Sequence, residues 1–318
     1  MTNLLTVLLA TALSTNPPAA MSNLVRQATG AQVAMPDPDD PVDREYRRLL
    51  KLDDQAQERI DGLIQEEGKF AAAADGAQTP TLQPRIEREL DAVRKEYERF
   101  IGRHPGHVAA RTAYGSFLND LGMEHEAAGV WEQALRMETN NAALYNNLAG
   151  IYSHRGPIEK AFEYFERALE LDPREPVYLQ NFATLTYLFR KDAMERWSIT
   201  EQQVFDRALA LYERALRLDP DNFLLATELA QSYYGIKPLR AEPALRAWRR
   251  ALELARDDLE RQGVLLHLAR THMMAGELEA AEADLKQVTD PVHDFVKQRL
   301  QKRLEKLRRG ETTPDKDA

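Results

Sequence analysis

Apolar residues recur at helical spacing along most of the chain, and from Val108 onward that recurrence acquires a second, longer period. The stretch from Ala142 to Glu175 shows the unit most clearly. Tyr145, Leu148, Ala149 and Tyr152 fall on one face of a first helix, and Ala161, Phe165 and Ala168 on one face of a second. Gly156 marks the turn between them. Pro173 ends the second helix, because its ring disfavours helix in the residue before it and it has no N–H to donate. Small side chains at Ala149, Ala161 and Ala168 let two backbones approach, while Tyr152 and Phe165 fill the space beside them. Such a unit cannot bury its own faces and must stack on neighbours.

The same positions return down the chain. The second-helix alanine recurs as Ala134, Ala168, Ala215 and Ala251, with Val288 last; counting Phe100 as a degenerate predecessor, the spacings are 34, 34, 47, 36 and 37. Three positions earlier stands a large residue: Trp131, Phe165, Tyr212, Trp248 and Leu285. The small first-helix residue is Gly115, Ala149, Ala183, Ala230 and Ala269, and a further small set is Ala127, Ala161, Ala208, Ala244 and Ala281. The spacing of 47 marks an insertion over 190–203. There Thr200 and Gln203 have the spacing of a capping box, so a helix should begin at Glu201. Both helices of that repeat are expected to run about a turn long and to project. Trp197 within the insertion either forms an interaction surface or packs back as a local plug. A smaller insertion, KPLRAEP, sits in the fourth repeat.

These residues resemble the tetratricopeptide-repeat (TPR) pattern, with Tyr145 where the family usually carries Trp. The resemblance is to uncharacterised bacterial exported TPR proteins and covers residues 108–290. It implies an all-α, right-handed superhelix, an α-solenoid of five repeats: 108–141, 142–175, 176–222 with its insertion, 223–258 and 259–290. Residues 41–107 should form a helical N-cap, a degenerate repeat pair interrupted by a low-complexity linker from Gly68 to Thr81. Residues 291–309 should form a capping helix with Val292, Val296, Leu300, Leu304 and Leu307 on one packed face, and 310–318 a disordered tail. At the other end, the apolar run Leu4–Leu13 resembles a secretory signal within residues 1–20, although no Lys or Arg precedes it. Residues 21–40 read as a linker. The expected location is outside the cytoplasm; a translation start at Met21 is the cytoplasmic alternative.

Composition narrows the function. A net charge of −9 speaks against a general nucleic-acid binder, and the absence of cysteine removes thiolate metal sites and cysteine nucleophiles. No run approaches the length of a membrane span. His104 and His107 lie in a loop that looks poor in carboxylates, and no phosphate loop or nucleophile elbow occurs. Neither catalytic residues nor a metal or other cofactor is expected. The last helix carries seven basic and two acidic side chains over 294–309, read as a solubilising end with its apolar residues packed, against a contact with anionic lipid or an acidic partner.

In the family's register, first helices line a concave groove. The resemblance places there Thr112, Ser116, Asn119 and Asp120; Asn146, Asn147, Gly150 and Ser153; Gln180, Asn181, Thr184 and Tyr187; Thr227, Gln231 and Tyr234; and His267 and Arg270. Amides that both donate and accept suit an extended peptide backbone. The basic residues of a carboxylate clamp are missing, since Thr112 and Val177 occupy two of their places. Asn147 and Asn181, 34 apart, are similar to an asparagine ladder; the alternative is that they only bridge neighbouring helices. The reading is a non-catalytic adaptor or scaffold that binds an extended protein or peptide segment. The alternative is a structural protein that self-associates through its helical ends.

Overall fold

The computed structural model describes residues 40–73 and 82–311, and these are all-α, without a strand among them. The apolar run of residues 1–20, the segment before Asp40 and the tail beyond Glu311 lie outside the described residues. The helices form two compact units that divide between Asp172 and Pro173.

In the first unit α1 (Pro41–Ala73) packs on α2 (Leu82–Arg103), followed by two helical pairs: α3 (Val108–Asp120) with α4 (Glu124–Met137), and α5 (Ala142–Arg155) with α6 (Ile158–Leu171). Helix α1 runs to Ala73, five residues past Gly68, so part of the segment expected to be a linker is helical. Tyr46 of α1, Tyr97 and Phe100 of α2, and Tyr114 and Phe117 of α3 share one aromatic core with Trp131. The Tyr46 hydroxyl donates to the Ala109 carbonyl (3.2 Å), which fixes α1 against the start of α3.

The second unit begins with α7 (Pro176–Leu188), which packs on α9 (Glu201–Leu218), with the short α8 (Arg190–Trp197) between them. Next come α10 (Phe223–Ser232) with α11 (Ala241–Leu254), α12 (Asp258–Ala275) with α13 (Leu278–Lys286), and the terminal α14 (Asp294–Arg308). In every repeat the small positions are the tightest contacts. Ala134, Ala168, Ala215, Ala251 and Val288, with Ala127, Ala161, Ala208, Ala244 and Ala281, are sealed from solvent. Apart from α9, which follows the insertion, capping divides the two helix classes. First helices α3, α5, α7, α10 and α12 begin on side-chain caps from His107, Asn141, Glu175, Asn222 and Asp257, whereas second helices α4, α6, α11 and α13 begin without one.

The insertion differs from expectation. Helix α7 is no longer than its counterparts and ends at Leu188; α8 then breaks away, and only α9 gains a turn, opened by the reciprocal Thr200–Gln203 capping box. The segment folds back instead of projecting. Ala193 is sealed, and Trp197 meets Phe182 of α7 edge-on (6.1 Å) and lies under the Arg207 guanidinium of α9 (4.1 Å). Trp197 is therefore a plug. Changing Trp197 to Ala should cost roughly 1–2 kcal/mol, less than a fully buried tryptophan because this ring keeps some exposure. A urea melt of the variant that overlays the parent would contradict this placement.

The two insertions also lock together, which the sequence did not reveal. Gln202 donates to the Lys237 carbonyl (2.8 Å), and Arg240 bonds both Gln202 (2.7 Å) and Asp206 (2.5 Å). The turn thereby held buries Ile236 completely. The terminal helix departs from expectation as well. Leu300 and Leu304 are buried against α12 and α13, but Val292 and Val296 of the same stripe, with Phe295 beside them, stand exposed.

Candidate functional site

The first helices are the least charged part of the repeats. Helix α7 carries no Asp, Glu, Lys or Arg at all, and α5 carries only Arg155, at its last position. Their partners α6 and α9 are studded with acids and bases on the solvent side. Uncharged polar side chains here bond to their own helix, bond across to a neighbouring one, or face an open surface.

In the first unit many bond to their own helix. Thr112 donates to the Val108 carbonyl (3.0 Å) and Ser116 to the Thr112 carbonyl (3.2 Å), which also accepts the Trp131 indole N–H (3.0 Å). Ser153 donates to Gly150 (2.6 Å). Asn119 is half-buried and Asp120 exposed at the end of α3. Asn146 and Asn147 are 3% and 9% exposed, and the Asn146 amide donates to Asn147 Oδ1 (3.2 Å). The Asn147 Nδ2 is buried without an acceptor among the described residues.

In the second unit the polar side chains cross between helices. Gln180 of α7 donates to Glu228 of α10 (2.8 Å); burial pushes the Glu228 carboxyl up, and that bond partly offsets it. Thr184 bonds the Gln180 carbonyl (3.0 Å) and the Tyr212 hydroxyl (2.7 Å). Asn181 is half-buried on the same helix. Tyr187 reaches Gly235, where a β-carbon would lie 2.0 Å from its hydroxyl and would have to displace the ring. Thr227 is buried and bonds Leu224 (2.7 Å), while Gln231 is exposed.

Tyr234, His267 and Arg270 form a built cluster. His267 lies flat on Trp248, 4.3 Å away with the planes 2° apart. The Tyr234 hydroxyl is 3.1 Å from His267 Nδ1 and 3.3 Å from the His267 carbonyl. The Arg270 guanidinium stacks over the Tyr234 ring (4.1 Å), and its Nε is buried without a hydrogen-bond partner among the described residues. Burial, and then the Arg270 charge, pushes His267 down to about 4, so the ring is neutral and its Nδ1 can accept the tyrosine proton.

That depression gives a pH prediction. His267 titrates near 6.5 in the unfolded chain and about 4 when folded. Below pH 6.5 the unfolded chain binds the extra proton, so stability is lost as pH falls from 6.5 towards 4. Allowing for the ring's partial exposure, the parent should lose about 2 kcal/mol more than His267→Gln between pH 7 and 4.5. Identical losses in urea melts of the two proteins would contradict it.

Three of the remaining histidines lie beside carboxylates. His272 bonds Asp284 (2.7 Å) between α12 and α13. His104 and His107 are not poor in carboxylates after all: Glu45 lies 3.2 Å from the first and Asp43 3.7 Å from the second, both from α1. No three metal-ligating side chains come together among the described residues. None of the described helices is long and apolar enough to cross a membrane.

Residues 142–175 match the family model described as tetratricopeptide repeat. A photosystem I assembly protein, Ycf3, of Cyanophora paradoxa is 32% identical over 116 residues, which cover 35% of this chain and 67% of that relative. The chain belongs to the tetratricopeptide-repeat family. Ycf3 of Synechococcus sp. (strain CC9605) is 27% identical over 136 residues, covering 38% of this chain and 75% of the relative. The mouse protein O-mannosyl-transferase TMTC1 is 29% identical over 121 residues, which cover 38% of this chain but only 12% of that relative. Among solved structures, PilF of Pseudomonas aeruginosa (17% identity, TM-score 0.50, 78% of this chain and 99% of that one) shares the fold. So does the type IV pilus biogenesis factor PilW (17%, TM-score 0.50, 65% and 88%). A TPR array is a scaffold for protein–protein contacts.

Proposed function

We propose that this chain is a non-catalytic adaptor that binds an extended protein segment along the uncharged faces of its first helices. The observation that carries this reading is the near-absence of charge on α5 and α7 beside densely charged second helices. A scaffold needing only solubility has no reason to keep amides and hydroxyls on one helix class and ions on the other. Side-chain amides can donate to and accept from peptide groups without regard to sequence. Relatives named for the assembly of another protein complex support an adaptor. The reading assigns no catalytic role to any side chain.

The two asparagines then have different jobs. Asn147 is nine-tenths buried and accepts from Asn146, so it organises the interior, while Asn181 keeps exposure on α7. Asn147→Ala should lower stability by about 1–3 kcal/mol and leave affinity for a captured segment intact. Asn181→Ala should weaken that affinity about fivefold, roughly 1 kcal/mol, with little change in melting. Calorimetry and thermal melts on both variants decide the matter. Equal behaviour of the two, in either direction, removes this division of labour.

A further inference from the structure

The exposed start of the terminal helix is the most unusual surface in the second unit. Phe295 is 76% exposed and Val292 74%, with Val296 and, across the turn, Leu259 of α12 also exposed. His293 Nε2 contacts the Leu259 carbonyl (3.0 Å), which joins the turn Pro291–His293 to the start of α12 and so gathers these apolar side chains in one place. They stand at the N-terminal end of a helix whose later turns are buried through Leu300 and Leu304.

Six of the seven cations over 294–309 sort into two groups. Arg308 pairs with Glu282 (2.6 Å), Arg309 with Glu311 (2.9 Å), and Lys297 caps the Val288 carbonyl (2.6 Å). Arg299, Lys302 and Lys306 are exposed and pair with none of the described residues. From Phe295 they follow at steps of 4, 3 and 4, the spacing of one helical face. An apolar tip therefore leads into a line of unpaired positive charge. The helix's own acids are Asp294 and Glu305, and Glu260 near the tip is held by Arg256.

We propose that this face docks on an anionic membrane surface, with Phe295, Val292 and Val296 entering the headgroup boundary and Arg299, Lys302 and Lys306 pairing with lipid phosphates. Two features select that occupant. A second copy would bring two like-charged helices together, each with seven bases and two acids over 294–309. The apolar side chains also protrude, which suits insertion into a fluid boundary; a peripheral helix binds in this way by apolar area plus attraction to acidic lipid. The chain as a whole carries −9, so the positive face is a local exception.

The test is co-sedimentation of the full chain with vesicles of phosphatidylcholine alone and with vesicles containing about one-third phosphatidylserine. The parent should bind only the acidic vesicles and release in high salt. Each unpaired cation near an acidic surface is worth about fivefold, so Arg299→Gln/Lys302→Gln/Lys306→Gln should bind about 100-fold more weakly. Phe295→Asp should lose about tenfold or more. Removing the exposed cations Lys51, Arg85 and Arg88 of the first unit should cost far less. Because every altered side chain is exposed, circular dichroism melts should match the parent. The proposal is overturned if the parent ignores acidic vesicles, if either helix variant binds like the parent, or if the control triple loses as much. It is also overturned if Phe295→Asp converts a parent oligomer to monomer by light scattering, since a second copy then covers the face.

Discussion

Gly115→Ala should destabilise the first unit by about 2–3 kcal/mol, although the same change in an open helix stabilises by up to about 1 kcal/mol. A β-carbon at this position would stand 2.3 Å from Trp131 Nε1 and 2.4 Å from Cδ1. Trp131 is fully enclosed and cannot swing away, and its indole N–H is committed to the Thr112 carbonyl at 3.0 Å. The methyl must therefore displace the ring, break that bond or part α3 from α4. The other repeats carry alanine here, opposite Phe165, Tyr212, Trp248 and Leu285. Glycine is thus matched to one ring in one orientation, so Trp131→Phe should rescue Gly115→Ala in part. A double-mutant cycle by urea unfolding would show a coupling on the order of 1–2 kcal/mol. A stabilised single variant, or a coupling of zero, would refute the packing argument.

Trp248→Ala should have the largest effect, on the order of 3–5 kcal/mol, as for other buried tryptophans. Trp248 is sealed in the second core, and its ring is the floor on which His267 lies, with Tyr234 5.9 Å away. Removing it unseats Tyr234, and with it the platform beneath Arg270. Hydrogen exchange should therefore rise across 223–275 while the first unit stays protected, because repeats depend chiefly on their neighbours. His267 should also titrate closer to its ordinary range once exposed. Trp248→Ala with unchanged exchange in α10 and α12 would contradict the stack's structural role.

The repeat interior was legible because it is written in small residues at fixed spacing. Ala134, Ala168, Ala215 and Ala251 can be found by counting, and each is sealed. What was not legible depends on depth and on loops. Asn147 and Asn181 share a register position, but register gives a face and not how deeply that face is covered. One is nine-tenths buried and the other is not. The clasp of Gln202 and Arg240 on the Lys237 turn uses a backbone carbonyl and side chains from two insertions, with no period to betray it. Val292 and Val296 continue the stripe of Leu300 and Leu304, so the pattern alone predicts burial. Helix α13 stops at Lys286, after nine residues, and the stripe runs out past the surface available to cover it. The Arg270–Tyr234–His267–Trp248 cluster joins α11, α12 and the turn after α10; each member could be named from the sequence, but not their mutual contact.

The adaptor reading rests on the first helices meeting a polypeptide that the second helices do not. A photocrosslinking side chain at Gln180 on α7, compared with one at the exposed Glu213 on α9, tests this directly in the native cell. Peptide mapping of the adducts should find one short, contiguous segment of a partner attached through position 180 and absent from position 213. No adduct at 180, or the same adducts from both positions, would contradict the account.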